Sequence, residues 1–274
     1  MQEPRYWTPP TGPLGRLCER SRDRVRLLDR DALTAACREQ GASSVQPALT
    51  AALRGVDVAV IAEVKRRSPS QGWLNGQMLA ADRARGYMLG GARALSVLTE
   101  PEEFGGSVAD LVAARHSTGL PVLKKDFHVD PLQVWEAKAV GASALLLIAR
   151  GLGPHLLADM MATARDAGIE AVVEVRREDE LQWALDGGAA VIGVNCRDLE
   201  SLEMEPEVHA RVIPLVPVDR LVIAESGIAT RTDVERLAAL GADAILVGAS
   251  LSRAESPVEA VSALTGVGRR QRGY

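Results

Sequence analysis

The sequence predicts an α/β fold in which eight parallel strands alternate with helices, and three observations support this prediction. Short apolar runs rich in valine, isoleucine, leucine and alanine recur from residue 58 onward without polar alternation, as expected of strands buried on both faces. Amphipathic stretches such as GPHLLADMMATARDAG separate these runs and have a helical period. A glycine suited to a helix C-terminal cap recurs just before a strand, as in LGGARALSV, AVGASALLL and ALGADAILV.

The number of strand and helix units indicates a closed barrel. The apolar runs, in chain order, are VAVIAEV, ALSVLTE, LPVLKKDF, SALLLIA, EAVVEV, AAVIGVN, RLVIAES and AILVGAS. Eight units over roughly 210 residues match a single (β/α)8 TIM barrel, whose usual length is about 250 residues. A doubly wound open sheet is the alternative, because strand and helix counts alone do not prove closure.

The segment before the first strand has its own pattern. Residues 1–57 contain LGRLCERSRDRVRLLDRDALTAACREQG, whose helical period predicts an N-terminal helical extension packed on the barrel. Residues 58–274 are predicted to form the catalytic barrel. No Pro/Gly/Ser linker separates the strands, so we predict one domain overall.

Composition and charge exclude several classes of protein. A net charge of −4 provides no electrostatic basis for binding nucleic acid or an anionic membrane. The N-terminal MQEPRYWTPPTGP lacks the apolar core of a signal peptide, and no apolar run is long enough to span a bilayer. Three scattered cysteines have neither zinc nor disulfide spacing, which predicts reduced thiols in a cytoplasmic protein.

Lysine is scarce, and its positions are informative. Only four lysines accompany 28 arginines, and Lys65, Lys124 and Lys125 stand at predicted strand ends. Arginine keeps its proton at any relevant pH, whereas a lysine amine can be tuned to donate and accept one. The pattern therefore predicts proton transfer or an imine. Because side chains alternate along a strand, Lys125 shares a face with Phe127, and we expect Lys124 to pack outward against a helix.

Other polar side chains of matching parity lie at strand ends, where the active sites of barrels are built. They are Glu63, Lys65, Glu174, Asn195, Arg197 and Glu225, with Leu199 following in parity. Any single one of them is as readily a structural ion pair. Together, three carboxylates, two lysines and an arginine would converge on one mouth, where desolvation makes an idle charge costly.

The last two strands predict a phosphate site. They end in AESGI and LVGAS, whose small residues leave backbone N–H groups open to a ligand. The loops after strands 7 and 8 are the usual phosphate site of such barrels. Ser226, Gly227, Gly248 and Ala249 are therefore the predicted phosphate-binding residues, and the predicted substrate is a small phosphorylated molecule.

The only two phenylalanines, Phe104 and Phe127, lie at or beyond strand ends. An aromatic substrate ring held between them is one interpretation. Packing within the loops is the alternative, and these residues alone do not separate the two.

Seven motifs together resemble the indole-3-glycerol-phosphate synthase family of tryptophan biosynthesis. They are IAEVKRRSPSQG, LSVLTEPEEFGGS, PVLKKDFHVDPLQVWEAKAVGA, VEV, IGVNCRDL, IAESGI and ILVGASL, in this order between about residues 46 and 265. The resemblance implies a carboxy-lyase that closes the indole ring of 1-(2-carboxyphenylamino)-1-deoxyribulose 5-phosphate. Carbon dioxide and water would be lost, and indole-3-glycerol phosphate would form.

The resemblance also implies a role for each matching residue. Lys125 would be the general acid, and Glu174 the acid–base partner in the dehydration. Lys65 would be a second lysine near the phosphate, while Glu63 and Asn195 would hold the ketose hydroxyls and orient the lysines. The implied substrate-binding residues are Ser68, Ser96, Phe104, Phe127, Leu146, Arg197, Leu199 and Glu225. No metal or redox cofactor is expected.

Two departures from the family pattern, His128 and Cys196, are predicted by alternation to point away from the site and to affect packing only. His128 replaces a residue that is usually apolar, and Cys196 replaces a common asparagine. Neither His128 nor the other three histidines have metal-ligand spacing. The N-terminal extension, Trp7 included, has no stretch that aligns with the family, so its part in a substrate lid stays open.

Two other functions compete with the synthase. Another phosphate-binding barrel of tryptophan or histidine biosynthesis, such as an isomerase, would need a cysteine and an aspartate at opposing strand ends, and neither is so placed. A paralogue that only binds a phosphometabolite or partner protein would be indicated by loss of Lys125, Glu174 or Lys65, and all three are present. We expect a monomer or a weak homodimer.

Overall fold

Eight parallel strands form a closed barrel in this structure, a computed structural model that describes residues 7–40, 47–76, 79–270 and 272, except the side chains of 38–40. The strands are β1 Ala59–Val64, β2 Ala94–Leu98, β3 Val122–Lys125, β4 Ala144–Ile148, β5 Glu170–Val175, β6 Val191–Asn195, β7 Leu221–Glu225 and β8 Ala244–Val247. β1 pairs with both β2 and β8, which closes the sheet. The (β/α)8 fold is confirmed, and the open sheet is excluded.

Helices alternate with the strands and surround the barrel. They are α1 Gly12–Val25, α2 Arg30–Gln40, α3 Leu49–Leu53, α4 Ala80–Leu89, α5 Val108–Thr118, α6 Pro131–Ala139, α7 Ala149–Ala167, α8 Glu178–Asp186, α9 Glu207–Val212, α10 Arg231–Ala239, α11 Ala249–Arg253 and α12 Pro257–Ser262. A short ribbon, Arg67–Ser68 with Gly72–Trp73, follows β1. No helix among the described residues is long and apolar enough to cross a membrane.

Three of these helices precede β1, as expected for an N-terminal helical extension. The division into segments 1–57 and 58–274 stays a prediction. Residues 1–6 and 41–46 of the predicted extension, and 77–78, 271 and 273–274 of the predicted barrel, lie outside the described residues.

The strands are buried because the helices cover the outer face of the barrel while side chains fill its interior. Six of the eight strands are buried at every residue, which explains their unbroken apolar runs. The exceptions are half-buried residues at the end of β3, where Lys125 lies, and at the start of β5. The half-buried end of β3 therefore places a lysine at the carboxyl edge of the barrel.

The first helix packs on this carboxyl edge. Its buried residues Leu14, Leu17, Cys18 and Ser21 follow a helical spacing and form its inner face. The Leu14 N–H donates to the carbonyl of Leu199 in the loop after β6, at 3.0 Å. The extension is thereby attached at the end where sites of barrels are built.

The described residues before α1, 7–11, are attached to the same edge. The Trp7 indole N–H donates to the carbonyl of Arg150 in the first turn of α7, at 3.0 Å. The Trp7 ring lies against Gly153, where α7 is kinked by a positive φ of 70°. A side chain at Gly153 would occupy the space of this ring, so the glycine permits the contact.

A buried ion pair lies at the opposite end of the barrel. The Asp243 carboxylate, just before β8, accepts the backbone N–H of Val222 at 2.7 Å. It also pairs with Arg272 at 3.1 Å and with Arg269. Both Asp243 and Arg272 have only 5% of the side chain exposed, so each depends on the other for compensation of its charge.

We expect Asp243→Ala to lower the free energy of unfolding by about 3 kcal/mol, because Arg272 would stay buried without its partner. Asp219→Ala is the matched control, since its carboxylate is 65% exposed in a pair with Arg220 and should contribute less than about 1 kcal/mol. Urea unfolding followed by circular dichroism measures both. Equal losses in the two variants would contradict the assignment.

Candidate active site

A cavity opens at the carboxyl ends of the strands, and it brings together every predicted site residue except Ser96. Its lining includes Glu63, Lys65, Ser68, Phe104, Lys125, Phe127, Leu146, Glu174, Asn195, Arg197, Leu199, Glu225, Ser226, Gly227, Gly248 and Ala249. Ser96 pairs in register with Glu63 and Leu123 and is fully buried. Leu98, two residues nearer the strand end on the same face, lines the cavity instead.

Lys125 lies at the centre of the charged part of the cavity. Its Nζ is 2.7 Å from Glu225 Oε2 and 3.3 Å from Glu174 Oε2. Burial by itself would lower the pKa of this amine, but the negative charges of Glu225, Glu174 and Glu63 outweigh burial and raise the pKa above its usual value. The amine is therefore held in its protonated form, which is the form that a general acid requires.

Glu225 is a carboxyl group that can exchange a proton near neutral pH. Burial raises the pKa of Glu225 to about 7, against an opposing effect of the Lys125 charge and with a further rise from Glu174. Its second oxygen, Oε1, has no hydrogen-bond partner among the described residues. A Cβ at Gly193 would clash with this oxygen, so the glycine on β6 leaves the space that Glu225 occupies.

Glu174 is oriented by Asn195 on the neighbouring strand. The Asn195 side-chain amide donates to Glu174 Oε1 at 3.0 Å, and its own oxygen accepts the backbone N–H of Arg197 at 2.9 Å. The Arg197 guanidinium donates to the carbonyl of Leu202 at 3.0 Å. Both oxygens of Glu174 are thus engaged, one by the amide and one by Lys125, which restricts the carboxylate to one orientation.

Lys65 lies beside the predicted phosphate site. Its Nζ is 2.5 Å from Glu63 Oε1, and a Cβ built at Gly248 would be 2.8 Å from that Nζ. Gly248 precedes α11, and a side chain there would also clash with the Glu63 carboxylate. Only a glycine lets this ion pair lie directly against the backbone. The lysine brings a positive charge to the loop where a phosphate is predicted to bind.

The loop after β7 has an unusual backbone. Ser226 and Gly227 have positive φ values of 68° and 69°. A positive φ is uncommon for a residue other than glycine, and such strain concentrates at ligand-binding sites. Cys196 lies behind this loop, with its Sγ 3.6 Å from the carbonyl of Ser226.

The two phenylalanines form an aromatic wall. The ring centroids of Phe104 and Phe127 are 6.0 Å apart and the rings are tilted by 37°. Leu17 of α1, Leu146 and Ile148 also line the cavity. The cavity therefore has an apolar part beside a charged part, which suits a ligand with an aromatic group and an anionic group.

The adjacent lysine is outside the cavity. Lys124 is buried with its Nζ 3.1 Å from Glu136 of α6 and 3.2 Å from His128 Nε2. The expected outward packing of Lys124 against a helix is therefore confirmed. His128 does not line the cavity, and burial together with the Lys124 charge lowers its pKa to about 3. Burial raises the pKa of the Cys196 thiol to about 11, so it stays protonated at neutral pH.

Sequence reasoning missed part of the wall. The missed lining residues are Leu17, Pro69, Ser70, Gln71, Leu98, Asp126, Ile148, Leu202, Ile228, Leu246 and Val247. Leu98 has the same parity as Ser96 and could have been found by continuing along the strand. The helical period around Leu17 predicts a buried face, but it does not say which surface that face contacts.

Comparison with known proteins agrees with this geometry. A family model described as indole-3-glycerol phosphate synthase matches residues 15–264. Indole-3-glycerol phosphate synthase 2 of Streptomyces coelicolor is 47% identical over 227 residues, which cover 82% of this chain and 88% of that protein. The indole-3-glycerol phosphate synthase of Rhodococcus jostii is 43% identical over 247 residues, covering 89% and 90%.

Solved structures with lower identity show the fold alone. A 3-hexulose-6-phosphate synthase from Salmonella typhimurium has a TM-score of 0.60 at 16% identity, covering 76% of this chain and 96% of that one. A thiamine phosphate pyrophosphorylase from Pyrococcus furiosus has a TM-score of 0.56 at 17% identity, covering 76% and 93%. The match over residues 15–264 and the identity to two synthases decide the family. The chain belongs to the indole-3-glycerol phosphate synthase family.

Proposed function

We propose that Lys125 is the general acid of the ring closure that this family catalyses in tryptophan biosynthesis. The family reaction converts 1-(2-carboxyphenylamino)-1-deoxyribulose 5-phosphate to indole-3-glycerol phosphate with loss of carbon dioxide and water, and makes this chain a decarboxylating lyase. The observation that supports the proposal is the position of the Lys125 amine between Glu174 and Glu225. A protonated lysine in the charged part of the cavity can donate a proton to a bound carbonyl.

In the first step, the ring carbon that bears the carboxylate attacks the ketose carbonyl and forms the new carbon–carbon bond. An aromatic carbon is a weak nucleophile, so the carbonyl oxygen needs a proton as its electron density rises. Lys125 donates that proton, and Glu225 stabilises the ammonium beforehand. The carbon dioxide then leaves, and the electrons of the broken bond neutralise the nitrogen of the closed ring.

Loss of water completes the indole. Glu174 acts as the acid–base partner and takes a proton from the ring methylene carbon, while Lys65 supplies a proton to the departing hydroxyl. Glu63 and Asn195 hold the ketose hydroxyls and orient the lysines. The Glu63–Lys65 distance of 2.5 Å supports the orientation of Lys65, and the Asn195–Glu174 distance of 3.0 Å supports the orientation of the carboxylate that pairs with Lys125.

The substrate extends from the aromatic wall to the loops after β7 and β8. Phe104 and Phe127 flank its aromatic ring, and its phosphate binds at the predicted site beside Lys65. The residues of that site are Lys65, Ser226, Gly227, Gly248 and Ala249. Ser68, Leu146, Arg197, Leu199 and Glu225 complete the substrate contacts, with Leu98 in the place predicted for Ser96. The Ser68 hydroxyl has no hydrogen-bond partner among the described residues, which supports a free donor for the substrate.

The same proposal includes a cellular setting and an assembly state. Cys18, Cys37 and Cys196 are free thiols, as a reducing cytoplasm would keep them. We place the enzyme in the cytoplasm as a monomer or weak homodimer acting on a small phosphorylated anthranilate derivative. Sedimentation at several protein concentrations measures the assembly state.

We expect Lys125→Ala to lower kcat by about 10²–10⁴-fold, the usual contribution of a positioned acid. Lys124→Ala is the matched control and should keep kcat within about tenfold of the wild type, with reduced stability because Glu136 loses its partner. Indole fluorescence measures product formation by each folded variant. Near-normal turnover by Lys125→Ala, together with an inactive Lys124→Ala, would contradict the assignment. A folded wild type that forms no indole product would favour the binding-only paralogue.

The charge of Glu225 should be visible in the pH dependence of the reaction. Its negative charge raises the pKa of Lys125, so Glu225→Gln lowers that pKa and fewer amines are protonated at high pH. We expect the alkaline fall in kcat of Glu225→Gln to lie about one to three pH units below that of the wild type. Glu178→Gln, an exposed control in the first turn of α8, should leave the profile unchanged. An alkaline limb in the wild-type position for Glu225→Gln would refute this account.

A further inference from the structure

Two loops carry the phenylalanines, and a buried carboxylate lies shortly before the phenylalanine in each of them. The carboxylate accepts hydrogen bonds from the backbone of its loop. Glu100 is fully buried in the loop after β2 and accepts three backbone N–H groups. These belong to Glu102 at 3.1 Å, Glu103 at 2.7 Å and Phe104 at 3.0 Å. The carboxylate thereby fixes the turn that carries the Phe104 ring.

Asp126 has the corresponding place beside Phe127. Its Oδ1 accepts the backbone N–H of Phe127 at 2.8 Å, and its Oδ2 accepts the hydroxyl of Thr99 at 2.6 Å. Lys124 lies 3.7 Å from Oδ2. The carboxylate thus fixes the direction of the backbone after β3 and the position of the Phe127 ring.

One side chain of α1 contacts both carboxylates. The Arg24 guanidinium donates through Nη2 to Asp126 Oδ1 at 2.5 Å, and its Nη1 lies 3.5 Å from Glu100 Oε1. The Glu100 side chain is fully buried, and that of Asp126 is 5% exposed, so both charges need compensation within the protein. Asp126 has Lys124 as a second cation, whereas the only ion pair of Glu100 among the described residues is with Arg24.

A second contact from α1 reaches the same loop. The Ser21 hydroxyl donates to the backbone carbonyl of Phe127, and Ser21 accepts a hydrogen bond from Gln133 of α6 at 2.9 Å. Phe127 is therefore held on its N–H side through Asp126 and on its carbonyl side through Ser21. The Phe104 loop is also contacted from α1 by a second residue, because Arg20 pairs with Glu102 and Glu103.

We propose that Arg24 is a positioning residue that fixes the spacing of the Phe104 and Phe127 rings by bridging Glu100 and Asp126. The planar guanidinium suits this task because it holds two NH2 groups in a fixed geometry, of which Nη2 donates to Asp126 and Nη1 is in ionic contact with Glu100. The two rings hold the aromatic part of the substrate, so this inference rests on the proposed function. The N-terminal helix thereby becomes part of the site through Arg24 as well as through Leu17.

The test compares two ligands that differ at C1, where one has the carboxyphenylamino group and the other has a hydroxyl. The first is 1-(2-carboxyphenylamino)-1-deoxyribitol 5-phosphate, the reduced form of the substrate, which has no carbonyl and does not react. The second is ribitol 5-phosphate, which lacks the ring. The dissociation constant of the second ligand divided by that of the first, measured by titration calorimetry on the whole chain, reports the contribution of the carboxyphenylamino group.

We expect Arg24→Met to reduce this ratio about five- to tenfold, which corresponds to the loss of well-placed aromatic contacts. Affinity for ribitol 5-phosphate should stay within about twofold, because the phosphate loops do not contact Arg24. Arg26→Met is the matched control, since Arg26 directly follows α1 and its exposed side chain pairs with Asp23 of the same helix. It should leave both affinities unchanged.

Arg24→Lys keeps the positive charge but places it on one ammonium that cannot bridge both carboxylates with a planar fork. It should reduce the ratio about two- to threefold and decides the question if Arg24→Met does not fold. An unchanged ratio in a folded Arg24 variant, or equal losses for both ligands, would overturn the inference. If the wild type forms no indole product, the proposed function fails first. Turnover by the wild type with an unchanged ratio in the variants removes this inference alone.

Discussion

The charge balance around Lys125 is the constraint on which the rest of the site depends. Lys125 comes from β3, and Glu63, Glu174 and Glu225 come from β1, β5 and β7, so the four charges lie on alternate strands. Side chains of one layer inside a barrel come from alternate strands, which is why these four can meet. Each ion is largely removed from water, and each would be costly alone. Removing the cation would leave a set of buried carboxylates that repel one another. The lysine proposed as the acid is therefore also the charge that compensates its surroundings.

Glycines next to this set give it room. At Gly193 and Gly248 a side chain would collide with Glu225 and with the Glu63–Lys65 pair. Both positions could be interpreted as simple strand or turn glycines, since neither has a positive φ. Their importance lies in the close approach of charged side chains to a bare backbone. The same closeness brings Lys65 against the start of α11, so the charged layer and the predicted phosphate site share one lysine.

The N-terminal segment is attached to the barrel by polar contacts at several loops as well as by the buried face of α1. Glu200, after β6, accepts the backbone N–H of Thr11 and the Nε of Arg150, each at 2.8 Å. Further along α1, Arg24 and Ser21 contact the loops after β2 and β3. The helix therefore crosses the mouth and joins loops that are distant in sequence. Because these contacts are ionic and directional, they fix the position of the loops as well as the packing of the helix.

The sequence by itself determined the eight strand–helix units, the choice of Lys125 over Lys124 as the lysine that faces the cavity, and the charged strand-end residues Glu63, Lys65, Glu174, Arg197 and Glu225 of its lining. These follow from local rules: strand parity has a period of two, and helix caps need particular residues close by. The tertiary structure alone decided how deeply each side chain is buried and how far apart the charged groups lie. The family resemblance implied Ser96 as a substrate-binding residue, but the register of the barrel buries it below the residues that line the cavity. The 2.7 Å contact between Lys125 and Glu225 joins strands 100 residues apart, and the Arg24 bridge joins a helix to two loops. Such contacts arise from closure and packing, which depend on every strand at once and leave no local pattern in the chain.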